Sequence, residues 1–178
     1  MTTLVLYFHA EHERSKTNRA MAGAAGALEG VTLVNMGALY PDVRAIDVDA
    51  EVQRLLSADR LVLQFPIHWY LPPPLLSAWQ NVVLTRMFYI KAEDEGARIK
   101  DVPLLVAATA GNTPEAYSPE GVNLFALTDL LKPLHASAHR CGLAWQDPFL
   151  VYRANRLDEE GRVEVAAAYA ARIAALAE

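Results

Sequence analysis

The chain contains 178 residues, of which 53% are hydrophobic, and it carries a formal net charge of -5. This length predicts one domain, residues 1–178, with room for a substantial core. The negative charge argues against non-specific binding of nucleic acid, and no apolar stretch is long enough to span a membrane. The single cysteine, Cys141, excludes an internal disulfide bond. Because no pattern typical of a secretion signal is present either, we expect a cytoplasmic protein.

Apolar and amphipathic segments alternate through the first half of the chain. Residues 3–8 form a short apolar run typical of a buried strand. Two carboxylates, Asp47 and Asp49, are candidates to cap the helix that follows them. The predicted order is a strand at 3–8, a loop at 9–17, a helix at 18–28, a strand at 31–35, a loop at 36–49 and a helix at 50–57.

The second half begins with the stretch LVLQFPIHWYLPPPLLSAWQNVVL, residues 61–84. An apolar strand starts at Leu61 and breaks at Pro66, an aromatic and proline-rich loop follows, and an amphipathic helix begins near Leu75. The remaining predicted segments are an exposed excursion at 91–100, a strand at 102–109, a loop at 110–121, a helix at 122–140 with a candidate break at Pro133, a strand at 143–152 interrupted by Pro148, and a terminal helix at 158–177.

Strands and helices that alternate in this way predict an α/β fold, in which helices cover both faces of a parallel sheet. Five strands favour the order 2-1-3-4-5 over the six-stranded dinucleotide-binding fold. In that order three loops meet at the carboxyl edge of the sheet, at residues 9–18, 66–74 and 109–117. Open α/β sheets bind their ligands at this edge, so we predict the functional site there.

The first loop is a candidate anion site. Its polar residues are His9, Ser15, Lys16, Thr17 and Asn18. Free N–H groups at the start of the next helix attract a phosphate, and these side chains add donors. A second interpretation, equally open, is that Ser15 or Thr17 only caps the helix. Neither GxGxxG nor GxxxxGK[ST] occurs, so a flavin phosphate suits this loop better than a dinucleotide or a P-loop nucleotide.

The second loop contains an aromatic cluster between prolines. Its candidate ligand-binding residues are Pro66, Ile67, His68, Trp69 and Tyr70. The peptide groups of residues 67–70 could bond the polar edge of a flavin ring, with Trp69 or its backbone against the ring. Packing in the core or at an interface is the commoner role of such an aromatic pair, so that interpretation also stays open.

The third loop follows the strand at 102–109 and contains Thr109, Ala110, Gly111 and Asn112. Gly111 permits a tight turn and a close approach of the backbone to a ligand, although a plain turn is the alternative. Elsewhere, His135 and His139 have the spacing of metal ligands on a helix. With no third ligand in view, we expect no metal site.

The segment LQFPIHWYLPPPLLSAWQNVVLTRMFYI resembles the QxPxxWYxxPxxLKxWxDxVxxxxFAYG signature of the flavodoxin-like NAD(P)H:quinone oxidoreductases. That family includes quinone reductases, drug-activity modulators and the regulatory subunits of glutathione-gated potassium efflux systems. The likeness runs nearly end to end. YFHAEHERSKTNRAM is similar to the family's AHPxxxxSxxN start, ALYPDVRAID to the efflux-subunit LYPDFxID, and VAATAGNTPEAYSPEG to the TTGGxxxxY loop. The resemblance implies a flavodoxin-like fold.

The resemblance also implies residue roles. The first loop would hold the phosphate arm of the flavin, residues 67–70 would cradle its ring, and residues 109–112 would close the other side. Tyr117 falls where the family has a tyrosine near the ring, and there it would donate a hydrogen bond as negative charge develops. Asn123 stands where quinone reductases place a histidine. Since asparagine cannot take up a proton near neutral pH, Tyr117 alone or solvent would serve.

The implied activity is reduction of a quinone or similar acceptor by two-electron, ping-pong hydride transfer, with NAD(P)H as co-substrate. The implied cofactor is FMN, favoured by the short chain, with FAD as the alternative. Resemblance further implies a homodimer. Two other functions stay open. The chain could be a flavin-binding ancillary subunit that docks on a potassium efflux transporter, or an electron carrier of the flavodoxin type.

Overall fold

The computed structural model describes residues 1–177, and in this range six strands form one sheet. The strands are β1 (Thr3–Tyr7), β2 (Val31–Asn35), β3 (Arg60–Pro66), β4 (Pro103–Thr109), β5 (Ala144–Trp145) and β6 (Phe149–Val151). Their order is β2-β1-β3-β4-β5, with β6 also paired to β4, and every pair is parallel. The predicted fold class and strand order are confirmed.

Helices cover both faces of this sheet. They are α1 (Lys16–Gly26), α2 (Met36–Leu39), α3 (Val48–Leu56), α4 (Pro74–Trp79), α5 (Lys132–Arg140) and α6 (Glu159–Ala174). Successive residues of a strand point to opposite faces, so Val5 packs with α1 and α6, whereas Leu4 and Leu6 pack with α3, α4 and α5. No helix within residues 1–177 is long and apolar enough to cross a membrane.

The fifth position of the sheet is shared by two short strands. Ala144 and Trp145 pair with the start of β4, and Phe149 to Val151 pair with its end. The interruption coincides with Pro148, which has no N–H group to donate to the ladder. The sequence prediction of one strand interrupted by Pro148 therefore describes this edge well.

Helix boundaries are where the sequence prediction and the structure differ most. The helix expected at 122–140 is wrong in its first half, because only Lys132–Arg140 is α-helical. Pro133 lies in the first turn, where its missing N–H group costs nothing, so it starts this helix instead of breaking it. At the start of α3, Asp47 is the capping residue, and its side chain accepts a hydrogen bond from Ala50 N at 3.0 Å.

The helix after the second loop is longer and less regular than its α-helical part. Pro74 begins α4, and helical backbone continues to Ile90 through two segments with widened turns, Gln80–Leu84 and Arg86–Ile90. The start of this helix is fastened to α3 by a fully buried carboxylate. Glu51 accepts hydrogen bonds from Trp79 Nε1 at 3.0 Å and from Tyr40 Oη at 2.9 Å, and it pairs with Arg54. These bonds hold the end of the second loop in position.

Candidate active site

A cavity of about 460 Å³ opens at the carboxyl edge of the sheet, where β1, β3, β4 and β6 end. Most of the residues predicted for the site line it. These are His9, Ser15, Lys16, Thr17, Asn18, Pro66, Ile67, His68, Thr109, Ala110 and Gly111. Three loops that are distant in sequence therefore meet at one rim, because the order of the strands brings their carboxyl ends together.

The start of α1 faces this cavity. Ser15 occupies the capping position, but its side chain makes no capping hydrogen bond. The N–H groups in the first turn of an α-helix have no partner inside the helix, and a capping side chain would normally satisfy one of them. An uncapped helix start beside a cavity favours the anion-site interpretation of this loop over the interpretation as a simple cap.

Thr17 and Asn18 line the cavity, yet both residues are buried and their side chains bind other parts of the protein. The hydroxyl of Thr17 donates to the carbonyl oxygen of Ala154, and Asn18 Nδ2 donates to Thr109 Oγ1 at 2.9 Å. The side-chain amide of Gln64, on β3, donates to the carbonyl of Asn18 at 2.9 Å. These side chains thus fasten the loops to each other, whereas Ser15 and Lys16 remain available to a ligand.

The second loop forms a two-residue turn. His68 and Leu71 exchange main-chain hydrogen bonds of 3.0 Å, and Trp69 and Tyr70 between them have φ values of 46° and 65°. Residues other than glycine rarely adopt this left-handed backbone conformation, and those that are held in it are often found at functional sites. Ile67 N–H donates to Thr109 O at 2.8 Å. Within the described residues, only Trp69 and Tyr70 of this loop have N–H groups without a main-chain acceptor.

Four predicted site residues lie outside the lining of the cavity: Trp69, Tyr70, Asn112 and Tyr117. The Trp69 side chain is 88% exposed, so it is not a core aromatic. The main-chain carbonyl of Asn112 accepts a hydrogen bond from Arg153 N at 3.0 Å, which links Asn112 to the loop after β6. At Gly111 an added Cβ would lie 3.5 Å from Asn155 Oδ1, an ordinary contact, so the fold itself does not require glycine there.

A fourth loop, residues 152–158, also borders the cavity and was missed in the sequence. Ala154 N donates to Ala110 O at 3.0 Å, which fastens this loop to the third one. Ala154, Asn155 and Leu157 line the cavity, and so does Arg162 in the first part of α6. The position of this loop after the fifth strand was the one available signal, because carboxyl ends of parallel strands share an edge.

The side chains that line the cavity are unbalanced in charge. Arg14, Lys16 and Arg162 contribute cationic groups, of which Arg14 is paired with Glu11 at 3.1 Å, and no carboxylate is among the described lining residues. His9 lies at the same rim, and its pKa is lowered, first by burial, then by the nearby His68 and His12. His9 Nδ1 accepts a hydrogen bond from Glu11 N at 3.1 Å, which suits an uncharged ring. The arrangement is suited to an anion.

Tyr117 belongs to a cluster of tyrosines beside the second loop. Its ring centre lies 5.9 Å from that of Tyr152, and Tyr70 Oη donates to Asn123 Oδ1 at 3.2 Å. Burial raises the pKa of Tyr117, and the neighbouring Tyr70 and Tyr152 raise it further. Tyr117 is therefore a protonated hydrogen-bond donor across the physiological pH range.

A second cavity, of about 850 Å³ and mostly apolar, is lined by Tyr70 and Asn123, the two residues that this hydrogen bond joins. We call it the apolar groove. Its lining consists of Tyr70, Leu71, Val122, Asn123, Leu124, Phe125, Asp129, Leu130, Lys132 and Pro133. Gathered exposed apolar side chains of this kind are typical of surfaces that bind a partner or a ligand.

The two histidines with metal-ligand spacing do not assemble a metal site in the part of the chain that the structure describes. No group of three or more His, Cys, Asp or Glu residues suited to a metal ion occurs there. The ring of His135 instead stacks on Trp145, with centres 4.6 Å apart and an angle of 14° between the planes.

Comparison with known proteins identifies the family. A family model described as flavodoxin-like fold matches residues 1–175, and the chain belongs to that family. The uncharacterized NAD(P)H oxidoreductase YdeQ of Bacillus subtilis is 36% identical over 173 residues, which cover 97% of this chain and 86% of YdeQ. The glutathione-regulated potassium-efflux ancillary protein KefG of Cronobacter sakazakii is 35% identical over 153 residues, which cover 86% of this chain and 82% of KefG.

Solved structures agree with the fold. The general stress protein 14 of Treponema denticola, in complex with FMN, superposes with a TM-score of 0.88 at 27% identity. The match covers 99% of this chain and 99% of that one.

Proposed function

We propose that this chain is a flavin-dependent NAD(P)H oxidoreductase that reduces quinones or similar acceptors by two-electron, ping-pong hydride transfer. The observation that carries the proposal is the uncapped start of α1, which faces a cavity lined by three cationic side chains and no carboxylate within the described residues. Two relatives support it, since YdeQ is named an NAD(P)H oxidoreductase and the Treponema denticola protein holds FMN.

The residues of the cavity fit FMN. The N–H groups at the start of α1, together with Ser15 and Lys16, would hold its phosphate. Pro66, Ile67 and His68 on one side and residues 109–111 on the other would enclose the ring. Bound there, FMN would supply the hydride-transfer chemistry between NAD(P)H and the acceptor.

The turn at residues 68–71 and the nearby tyrosines would supply the polar contacts to the ring. The N–H groups of Trp69 and Tyr70 lack main-chain acceptors in the described residues, so they can donate to its polar edge. Tyr117, whose pKa is raised by burial, would donate a hydrogen bond where negative charge develops during the reaction. Asn112 would help close the opposite side through its loop.

A homodimer is part of the proposal. Tyr89 and Ile90, at the end of the long helix that begins with α4, are 73% and 66% exposed. In the apolar groove, Val122 and Phe125 are 83% and 53% exposed. A second copy that covers these surfaces would remove a large apolar area from water, which is the main source of free energy in association.

The proposed location is the cytoplasm. The one cysteine, Cys141, is a buried free thiol, and burial raises its pKa to about 11. Such a thiol is unreactive, and a chain without structural disulfides suits a reducing compartment.

A second candidate function is that of an ancillary subunit of a potassium efflux system, favoured by the 35% identity to KefG. Such a subunit would bind a membrane transporter and sense redox state through its flavin. Slow turnover of quinones together with tight, FMN-dependent association with such a transporter would favour this function. Rapid turnover without that association would favour the enzyme. An electron carrier of the flavodoxin type would instead show no direct reduction by NAD(P)H.

The function is tested with purified protein. We expect a yellow protein whose visible flavin absorbance bleaches on anaerobic addition of NADH or NADPH and returns when a quinone is added. Mass spectrometry of the released molecule identifies FMN or FAD. Protein that stays colourless with both added flavins would contradict the proposal.

The role of Tyr117 is tested by Tyr117→Phe, with Tyr152→Phe as the matched control. Loss of a single hydrogen bond to developing charge should slow flavin reduction by roughly tenfold to a thousandfold in stopped-flow measurements. Tyr152→Phe should keep the rate of the unmodified protein. Equal rates in the two variants would remove Tyr117 from the catalytic residues.

A further inference from the structure

Glu51, on α3, is a carboxylate without exposed surface. Its Oε1 atom accepts hydrogen bonds from Tyr40 Oη at 2.9 Å and from Arg54 Nε at 3.2 Å, and its Oε2 atom accepts from Trp79 Nε1 at 3.0 Å. Removing a carboxylate from water is costly, and well-packed apolar side chains often give a fold the same stability. What this group adds is direction, because each oxygen binds its donors in a defined geometry.

The aromatic donors to Glu51 come from two elements that reach the site. Tyr40 directly follows α2, and Trp79 is the last residue of α4, the helix that begins where the second loop ends. The indole ring of Trp79 also packs edge-on against Phe8, which directly follows β1, with ring centres 6.0 Å apart. Trp79 is thus held between α3 and the end of β1, although it does not itself line the cavity.

The link between Trp79 and the turn at residues 68–71 is short and stiff. Three consecutive prolines, residues 72–74, join the turn to α4. A proline ring fixes φ, so this link has little freedom to absorb a movement of the helix. A shift of α4 would therefore reach Leu71, whose main-chain hydrogen bonds with His68 close the turn.

Resting on the proposed function, we infer that Glu51 is a positioning residue. Through its hydrogen bond to Trp79 it sets the turn at residues 68–71, and with it the two N–H groups that would meet the polar edge of the flavin ring. A site of this kind needs its donors held to within a fraction of an ångström, and hydrogen bonds behind the site supply that precision. Glu51 contacts neither the flavin nor the acceptor.

The test compares Trp79→Phe with Tyr40→Phe as the matched control. Each substitution removes one hydrogen bond between Glu51 and a buried aromatic side chain, but only Trp79 lies on the helix that follows the turn. The probe is riboflavin, which has no phosphate, and its affinity is measured by quenching of flavin fluorescence. We expect Trp79→Phe to weaken riboflavin binding about threefold to tenfold, the equivalent of one hydrogen bond. Tyr40→Phe should lose stability in urea but keep the riboflavin affinity of the unmodified protein.

Glu51→Gln provides a second variant, which keeps the size of the side chain. It should weaken riboflavin binding in the otherwise unmodified protein and have no additional effect in the Trp79→Phe background, because the two residues act as one unit. If Trp79→Phe does not fold, Glu51→Gln is compared with Tyr40→Phe in its place.

Hydrogen exchange supplies a readout that needs no flavin. The N–H groups of His68 and Leu71 are bonded within the turn, so they exchange when the turn opens. Trp79→Phe should speed exchange in peptides that cover the turn, whereas Tyr40→Phe should not.

The outcomes separate this inference from the proposed function. Riboflavin affinity that stays unchanged in both Trp79→Phe and Glu51→Gln would overturn the role of Glu51 while the function stands. An equal loss of riboflavin affinity in Tyr40→Phe would show a general effect of stability and would overturn it as well. Unmodified protein that binds no flavin would contradict the function itself. Faster exchange of the turn in Trp79→Phe would then still support its positioning by Glu51, and unchanged exchange would overturn that too.

Discussion

Single residues of the first loop divide between two tasks. Ser15 and Lys16 remain available at the start of α1, whereas Thr17 and Asn18 use their side chains to fasten the third and fourth loops. A buried hydroxyl or amide needs hydrogen-bond partners, and these bonds supply them for the Thr17 hydroxyl and the Asn18 side-chain N–H group. Thr17 and Asn18, whose residue types suggested ligand binding, therefore hold the loops of the site together instead.

His9 gives the pH prediction at this scale. Burial, then His68 and His12, lower its pKa, while Glu11 acts in the opposite direction. In the unfolded chain the pKa of a histidine is about 6.5, above that of His9 in the folded protein. At pH values between these two, the unfolded chain binds more protons than the folded protein does. The free energy of unfolding should therefore fall as the pH drops from about 6.5 through the folded pKa. Above about pH 6.5, where His9 is uncharged in both states, no stability is lost.

His9→Gln removes that proton-binding group. Urea denaturation at about pH 7.5 and about pH 5 should show that the unmodified protein loses more stability on acidification than the variant does. His139→Gln is the control, because His139 is exposed on α5 and lies outside the cavity. A variant whose stability changes with pH just as in the unmodified protein would show that His9 titrates normally.

At the scale of elements, the site depends on close approaches of backbone. The short helix α2 passes directly over the end of β1, and at Gly37 an added Cβ would lie 2.3 Å from the carbonyl oxygen of His9. Contacts this short do not occur, so α2 and the first loop can meet only where a side chain is absent. Backbone contacts also set the turn at residues 68–71. The paired main-chain hydrogen bonds of His68 and Leu71 hold the two residues between them in the left-handed conformation.

Two glycine substitutions test this dependence. Gly37→Ala should lower the free energy of unfolding by about 2 kcal/mol or more, because main-chain atoms must shift, and it should weaken FMN binding by moving His9. Gly23→Ala lies in the middle of α1, with no atom within 4 Å of the added Cβ. This substitution should raise the free energy of unfolding by about 0.5–1 kcal/mol. Urea denaturation measures both. Equal effects of the two substitutions would mean that the α2 contact can relax.

For the whole molecule, the proposed homodimer predicts that the apolar groove is buried between two copies. Phe125→Glu would place a charge on a surface that the proposed homodimer buries, at a cost of several kcal/mol for an unpaired buried carboxylate. We expect this variant to elute as a monomer in size-exclusion chromatography with light scattering. Val163→Glu, at a 64% exposed position of α6, should leave the assembly unchanged. A Phe125→Glu variant that remains dimeric would exclude this groove from the interface.

Much of the fold could be predicted from local pattern. Strands such as β1 and β4 are buried on both faces, so they are continuous apolar runs that the sequence displays directly. Pro148 marks the break in the edge strand for an equally local reason. The helix boundary near Pro133 could not be predicted with the same rules, because a proline either ends or begins a helix and the tertiary position of α5 decides between the two.

The candidate site was only partly predictable. The first three loops stand after strands with recognisable patterns, and most of their named residues line the cavity. Trp69 is exposed because hydrogen bonds between His68 and Leu71 set the turn, and no residue pattern encodes their geometry. The fourth loop and Arg162 were missed because they reach the cavity only through the pairing of β6 with β4.

By itself, the amino-acid sequence determined the family, the order of the strands and the edge of the sheet where the candidate cavity opens. These follow from the periodicity of apolar residues and from motifs that are short and contiguous. Only the tertiary structure decided which side chains fasten loops, which remain available to a ligand, and that a cation from the last helix joins residues near the amino terminus. Such contacts join segments more than a hundred residues apart, as between Thr17 and Ala154, and no local pattern records them.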